Sequence, residues 1–126
     1  MAMLGRIVAR FVSTGLLPVN IGSREIEKFL GQSEDQKTFE AVVSWMLDED
    51  IIRAKDVHVS NDGSISLIGA QLTSKALAII KQPLPTGGTI KEKIQAADSG
   101  GGAQWSGIGE LIGGFAAGFA KGIGSG

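Results

Sequence analysis

The sequence predicts an α+β fold that is mostly helical, and two observations support this prediction. Between Glu34 and Asp50 the large apolar side chains recur at i, i+3, i+4, i+7 and i+8, the spacing that places an apolar stripe along a helix. From Val57 to Leu67, apolar residues alternate with polar ones around Asn61-Asp62-Gly63, which is typical of a β-hairpin with a tight connection.

Two shorter helices are predicted before this run. The segment from Met3 to Val12 shows the same apolar spacing and predicts the first helix. Residues 16–19 surround Pro18 and predict an extended connector, because the residue before proline is pushed out of the α region. Ser23 is the predicted N-cap of a short helix over 24–30 that Gly31 ends, and Ser33 is the predicted N-cap of the helix over 34–50.

A further helix follows the hairpin. Thr73 is its predicted N-cap, and Leu72 and Leu77 have the spacing of a hydrophobic staple across the helix start. Pro83 ends this helix because proline cannot continue the backbone hydrogen-bond ladder. The composition then divides the chain into a head over 1–82, a Pro/Gly linker over 83–104 with a short helix at 89–97, and a glycine-rich amphipathic helix over 105–126.

The C-terminal helix has an apolar stripe with a ridge of glycines beside it. The stripe is formed by Ile108, Ile112, Phe115, Phe119 and Ile123, and the ridge by Gly114, Gly118 and Gly122. Each glycine inside a helix costs about 0.5–1 kcal/mol relative to alanine. The helix therefore needs a covering surface, and we expect a partner protein, a second copy or a membrane surface. Only ten residues separate Glu110 from Lys121, too few to span a bilayer.

Two stretches of sequence resemble a known superfamily. Residues 45–53, Trp-Met-Leu-Asp-Glu-Asp-Ile-Ile-Arg, and residues 72–77, Leu-Thr-Ser-Lys-Ala-Leu, are similar to the helix-end-then-strand and Leu-Thr-x-Lys-Gly-Leu stretches of bacterial winged-helix proteins. The chain departs from that pattern at Asp50 and Ala76, where many relatives carry glycine. The resemblance implies a winged-helix head, with helices and a hairpin wing, and a helix-turn-helix whose second member is the helix over 34–50.

Composition excludes several function classes. The 126 residues contain no cysteine, so disulfides, thiolate metal sites and cysteine catalysis are absent. The net charge of −1 gives no general attraction to nucleic acid. His58 is the only histidine and is predicted to be exposed, and the carboxylates of Asp48-Glu49-Asp50 point in different directions around a helix. We therefore predict no enzyme, no metal and no cofactor.

DNA contact is an alternative with a clear set of residues. Gln36, Lys37 and Thr38 begin the predicted recognition helix and could read bases, and Arg53 and Lys55 are two further possible DNA-binding residues. Charge opposes this use. Residues 33–56 contain seven acidic residues and three basic ones, a formal charge of −4.

The favoured hypothesis is a non-enzymatic protein-interaction adaptor whose C-terminal helix packs on a partner, a second copy or a membrane surface. The main alternative is a small winged-helix regulator that binds DNA and dimerises through its tail. A third is a toxin-neutralising or prophage-type accessory protein that uses its acidic face against a basic partner. The N-terminal apolar residues are interrupted by Arg6 and Arg10, so no signal peptide is recognised and a cytoplasmic location is expected.

Overall fold

The computed structural model describes residues 2–14, 17–31, 34–85, 87–98 and 105–125, with side chains described up to residue 97 and from 105 to 117. The fold is α+β and mostly helical, as predicted. The helices are α1 (Ala2–Ser13), α2 (Ile26–Leu30), α3 (Gln36–Asp48), α4 (Ser74–Ile80), α5 (Ile90–Asp98) and α6 (Trp105–Ser125). The strands are β1 (Val19–Gly22), β2 (Ile52–Arg53), β3 (Asp56–Val59) and β4 (Ile65–Leu72).

Strand β4 is the centre of an antiparallel sheet. Strand β1 pairs with one side of β4, and β2 and β3 pair in succession with its other side. Residue Leu67 of β4 thus lies between Ile21 of β1 and Val57 of β3. Strand β1 was not predicted as a strand; its first residue fell in the expected extended connector, and only the pairing with β4 turns this segment into a strand.

One hydrophobic cluster runs through the molecule from α1 to α6. It contains Phe11, Phe39, Leu67 and Ile79 of the head, and it also contains Ile112 of the C-terminal helix. The segment predicted as a linker also contributes buried side chains, namely Leu84, Ile90 and Ile94. The boundaries at 82 and 104 therefore mark changes in composition, while the buried side chains on both sides of them pack together.

The turn before α5 is closed by its own backbone. The N–H of Leu84 donates to the carbonyl of Gly88 at 2.9 Å, and the N–H of Gly87 donates to the carbonyl of Leu84 at 2.9 Å. The Thr89 hydroxyl then accepts from the N–H of Glu92 at 3.2 Å, which satisfies a free donor at the start of α5. Because Leu84 is buried, this turn fixes where α5 meets the head.

Several predicted helix caps are confirmed and two are wrong. Thr73 caps α4 by accepting from the N–H of Ala76, and Gly31 ends α2 at a φ of 79°. Helix α3 begins later than predicted, because Asp35 is its N-cap and accepts from the N–H of Thr38; Ser33 lies outside the described residues. Helix α2 begins at Ile26, since Ser23 instead binds the backbone of β4.

The C-terminal end of α3 places Asp50 in an unusual backbone conformation. Asp50 has a φ of 59°, the left-handed region that glycine adopts without steric cost. The N–H of Asp50 donates to the carbonyl of Leu47, and the N–H of Ile51 donates to that of Met46, which is the Schellman arrangement.

Candidate interaction surface

The polar residues predicted to read bases lie together on the first turn of α3. Gln36, Lys37 and Thr38 are all exposed. The Thr38 hydroxyl donates to the Asp35 carboxylate at 2.7 Å, and the Gln36 amide donates to Glu40 at 3.2 Å. The hydrogen bonds from Thr38 also hold the pKa of Asp35 below its usual value. These two side chains thus direct their donors to acidic groups of their own helix.

The other two predicted DNA-binding residues, Arg53 and Lys55, lie on a different part of the head. Arg53 is exposed on β2, which follows the C-terminal end of α3, and Lys55 is exposed just before β3. Gln36, Lys37 and Thr38, the polar trio, lie in the first turn of α3, whereas Arg53 and Lys55 follow its other end. The 13 residues of this helix span about 20 Å. The stem of Lys55 lies across Gly69, with its Cγ 3.3 Å from where a Cβ on Gly69 would be.

The surface around α3 remains acidic in the folded protein. Arg6 of α1 forms an ion pair with Glu34 at 2.5 Å, which adds one positive charge to this region. Lys75 adds a second, because its ammonium group donates to the carbonyl of Glu49 at 2.8 Å, so the formal charge changes from −4 to −2. An acidic surface repels phosphates and gives no source of non-specific DNA affinity.

The tip of the hairpin between β3 and β4 also carries a negative group. The Asp62 carboxylate accepts from the hydroxyl of Ser64 at 2.7 Å, from the N–H of Ser64 at 3.0 Å and from Arg24 at 2.7 Å. These contacts, led by the Ser64 hydroxyl, lower the pKa of Asp62 to about 2. The Asp62 carboxylate is therefore ionised at neutral pH, and its ion pair with Arg24 joins the tip to the segment before α2.

Strand β3 exposes two valines that the alternating pattern placed with the core. Val57 is 45% exposed and Val59 is 67% exposed, whereas the residues opposite them on β4, Leu67 and Ile65, are 0% and 5% exposed. Directly opposed residues point to the same face of a sheet. The valines thus continue the core-facing side of the sheet beyond the region that the helices cover. His58, between them, is exposed as predicted.

The hydrogen bonds of the neighbouring residues show which way the backbone of β3 points. Ser60 donates its N–H to the carbonyl of Ser64, so this opposed pair is hydrogen-bonded. Ile65 exchanges bonds with Ser23, on the β1 side, through its N–H and its carbonyl. Because hydrogen-bonded and non-hydrogen-bonded pairs alternate, Val57 and Val59 direct their N–H and C=O groups away from β4, toward the edge where no described strand pairs with β3.

At the opposite edge of the sheet, β1 has two features that hinder pairing with another chain and that β3 lacks. Pro18 directly precedes β1, and the register of β1 on β4 shifts between Val19 and Ile21. Proline and irregular register are common ways of blunting an edge strand. Strand β3 has no proline and keeps an unbroken register from Asp56 to Val59. The β3 edge, defined as the outward backbone and side chains of Val57 and Val59, is the surface that sequence reasoning missed.

The predicted interaction residues of the tail divide into two groups. Ile108 and Ile112 are each 1% exposed and pack in the core of the head, together with Ala116. Phe115 is partly buried, and Gly114 is exposed with open space around it, so it does not lie in the contact with the head. Phe119, Ile123, Gly118 and Gly122 belong to α6, but their side chains and surroundings lie outside the described part of the molecule.

Close approach of helices α1 and α6 depends on a different glycine. A Cβ on Gly5 would lie 2.8 Å from the carbonyl oxygen of Trp105 and 3.4 Å from the N of Gly109. Gly5 of the first helix therefore lets the two backbones approach, a function that the predicted ridge had assigned to Gly114 and its neighbours. The covering surface for this part of the tail is the chain's own head.

Among the described residues, no group of three or more His, Cys, Asp or Glu side chains is placed to hold a metal ion. No helix of the described residues is long and apolar enough to cross a membrane.

An open cleft of about 480 Å³ lies between α1, α2 and β1, with Arg10, Lys28 and Phe29 among its lining residues. Its Lys28 lies 3.7 Å from Glu25, so opposite charges already neighbour each other there. Comparison of the chain with family models, with curated proteins and with solved structures gave no match.

Proposed function

We propose that this protein is a non-enzymatic binding module of the winged-helix type, and that it binds protein rather than DNA. The winged-helix part rests on the order of elements: α1, a strand, α2, α3, and then a hairpin whose second strand pairs with the first strand of the chain. In this arrangement α2 and α3 are the helix-turn-helix, and β3 with β4 is the wing.

The observation that carries the proposal is the β3 edge. Its two valines are exposed, and its backbone donors and acceptors point outward in an unbroken register. Such an edge accepts an added strand from another chain, because main-chain hydrogen bonds supply affinity and the alternate side chains supply contact area. A wing that contacts DNA uses cations, and this wing has Asp62 at its tip.

The tail supports an adaptor function only in part. Since Ile108 and Ile112 are covered by the head, docking of α6 onto another surface depends on the partly exposed Leu111 and Phe115. The β3 edge needs no such rearrangement, because it is already open. We therefore place the primary protein contact at the wing and treat docking through the tail as secondary.

The test compares two variants with the same chemical change at different places. Val57→Lys/Val59→Lys puts charge on the β3 edge, and Ile68→Lys puts charge on a 40% exposed strand position on the other face of the sheet. Immobilised wild type and Ile68→Lys should retain the same proteins from a cell lysate to which the free wild-type chain has been added, and the edge variant should lose them. Circular dichroism checks that all three are folded.

A second arm measures binding of a labelled random-sequence DNA duplex at low and at physiological salt. We expect no retention at physiological salt. Retention that falls steeply as salt rises, and that is lost in Lys37→Gln, would support the DNA-binding regulator and overturn this proposal. Protein retention that is equal in the edge variant and the wild type would also overturn it.

A further inference from the structure

We propose that the partner at the β3 edge is a second copy of this chain, paired with β3 antiparallel to β3 about a two-fold axis at His58. This inference rests on the proposed function, because it names the partner of the same edge. Closed two-fold pairing is the commonest way in which identical chains associate, and it requires a surface that is complementary to itself.

The backbone of β3 has that self-complementarity. A two-fold axis at His58 places Val57 opposite Val59 of the second copy, and Val59 opposite its Val57. All four of these residues direct their N–H and C=O groups toward the shared edge. Each opposed pair can therefore exchange both backbone hydrogen bonds.

Other registers leave some of the outward N–H and C=O groups of Val57 and Val59 without a partner. A shift by one residue would place an outward-directed residue opposite one that is already bonded to β4. A shift of the axis to Val57 would place Lys55 opposite Val59, and the N–H of Lys55 is already donated to the carbonyl of Ile68 at 2.8 Å. The register about His58 is the one that uses Val57 and Val59 of both copies.

The valine side chains favour the same register. In both copies they lie on the same face of the sheet, and the two-fold axis is perpendicular to that face. Val57 and Val59 of one copy then contact Val59 and Val57 of the other, forming a cluster of β-branched side chains. Because each valine is about half exposed or more in the single chain, this pairing removes apolar surface from water.

Charges on the other face are compatible with the pairing. The register places Asp56 opposite Ser60 of the second copy and diagonal to its His58. No two carboxylates are directly opposite each other in this register. The two His58 imidazoles are opposite each other, and the two Asp56 side chains flank them. The strand is only four residues long, so we expect reversible association that depends on protein concentration.

The absence of cysteine makes this register directly testable. His58→Cys would place two thiols opposite each other in a non-hydrogen-bonded pair, with Cα atoms about 4.5 Å apart, within the range that a disulfide spans. Ser60→Cys is the matched control. It is also exposed, but the two copies of residue 60 would lie about 13 Å apart along the paired strands, beyond the reach of a disulfide.

The full-length variants are oxidised mildly at equal concentration, and the disulfide-linked dimer is followed on non-reducing gels. We expect His58→Cys to cross-link at least about tenfold faster than Ser60→Cys. Adding Val59→Lys to His58→Cys should reduce its rate to that of Ser60→Cys, and adding Ile68→Lys should leave it unchanged. Light-scattering mass of the wild type should rise with concentration, and that of Val59→Lys should remain that of a monomer.

Equal cross-linking rates of His58→Cys and Ser60→Cys would overturn the inference. So would fast cross-linking that Val59→Lys leaves intact, since the reaction would then not depend on the edge. If neither effect is seen but the edge variant still loses captured proteins, this inference fails and the proposed function stands. Failure of both measurements removes the proposed function as well.

Discussion

Helix α6 and strand β3 are both amphipathic, but the folded protein treats them in opposite ways. From sequence, the valines of β3 belong with the core and the isoleucines of α6 need a surface from elsewhere. In the structure Ile108 and Ile112 are buried against the chain's own head, and Val57 and Val59 are exposed. Periodicity correctly predicts which face of an element is apolar, but it does not predict what covers that face.

The reason for the difference lies in the position of each element in the fold. Strand β3 lies beside β4 at the edge of the sheet, and its valines are exposed although Leu67 and Ile65 opposite them are buried. Helix α6 reaches the head because the turn at residues 84–88 and helix α5 carry the chain back toward it. The covering of an apolar face is therefore a tertiary property, set by elements that are remote in sequence.

The largest expected effect comes from comparing how much α6 and β3 contribute to the free energy of unfolding. Ile112→Ala should lower the free energy of unfolding by about 2–5 kcal/mol, because it removes a fully buried side chain and leaves a cavity. Val59→Ala, the matched truncation on β3, should change it by less than about 0.5 kcal/mol. Urea denaturation measures both. Equal effects would show that the tail is not packed on the head in solution.

The next prediction concerns the close approach of α1 and α6, measured as the stability change when Gly5 is replaced. Gly5→Ala should lower the free energy of unfolding by about 1–3 kcal/mol, because the added methyl group meets the Trp105 backbone and the helices must separate. Alanine is otherwise the better helix former by about 1 kcal/mol. A stabilised Gly5→Ala variant in thermal unfolding would mean that the two helices are farther apart than described.

A smaller effect of opposite sign is expected within α6 itself. Gly114 faces open space, so an added methyl group meets no neighbour there. Gly114→Ala should raise the free energy of unfolding by about 0.5–1 kcal/mol through helix propensity alone. Urea denaturation beside Gly5→Ala makes the comparison. A loss of stability would indicate that the Gly114 face is in contact with something, as the predicted glycine ridge supposes.

Local features of the fold were predictable from sequence because they depend on neighbouring residues. The helix over Gln36–Asp48, the hairpin and the cap at Thr73 follow from apolar spacing and from side chains that bond their own backbone. Strand β1 was missed because its four residues become a strand only by pairing with β4, more than forty positions later. Ser23 was assigned to a cap for the same reason, since its partner is Ile65.

The candidate site was less predictable than the fold. The polar trio on α3 was placed correctly on an exposed helix turn, but its engagement with Asp35 and Glu40 depends on rotamers that a pattern does not show. The β3 edge required knowledge of which strand is central and where the helices end. The one available signal was the absence of proline and lysine between Asp56 and Val59, two residues that often protect an edge strand.

The smallest expected effect concerns the tip of the hairpin, beyond the exposed valines. Because the folded pKa of Asp62 is lowered from 3.8 to about 2, its contacts stabilise the fold above about pH 4, and this contribution is lost as the pH falls toward 2. Asp62→Asn should therefore flatten the dependence of melting temperature on pH in that window. Ser64→Ala removes the strongest donor and should raise the pKa of Asp62 toward its usual value, as measured by NMR titration of the carboxyl carbon. An unchanged titration would mean that the tip of the hairpin is not held in this conformation in solution, and the register at which β3 presents its edge would then be less fixed than the hairpin implies.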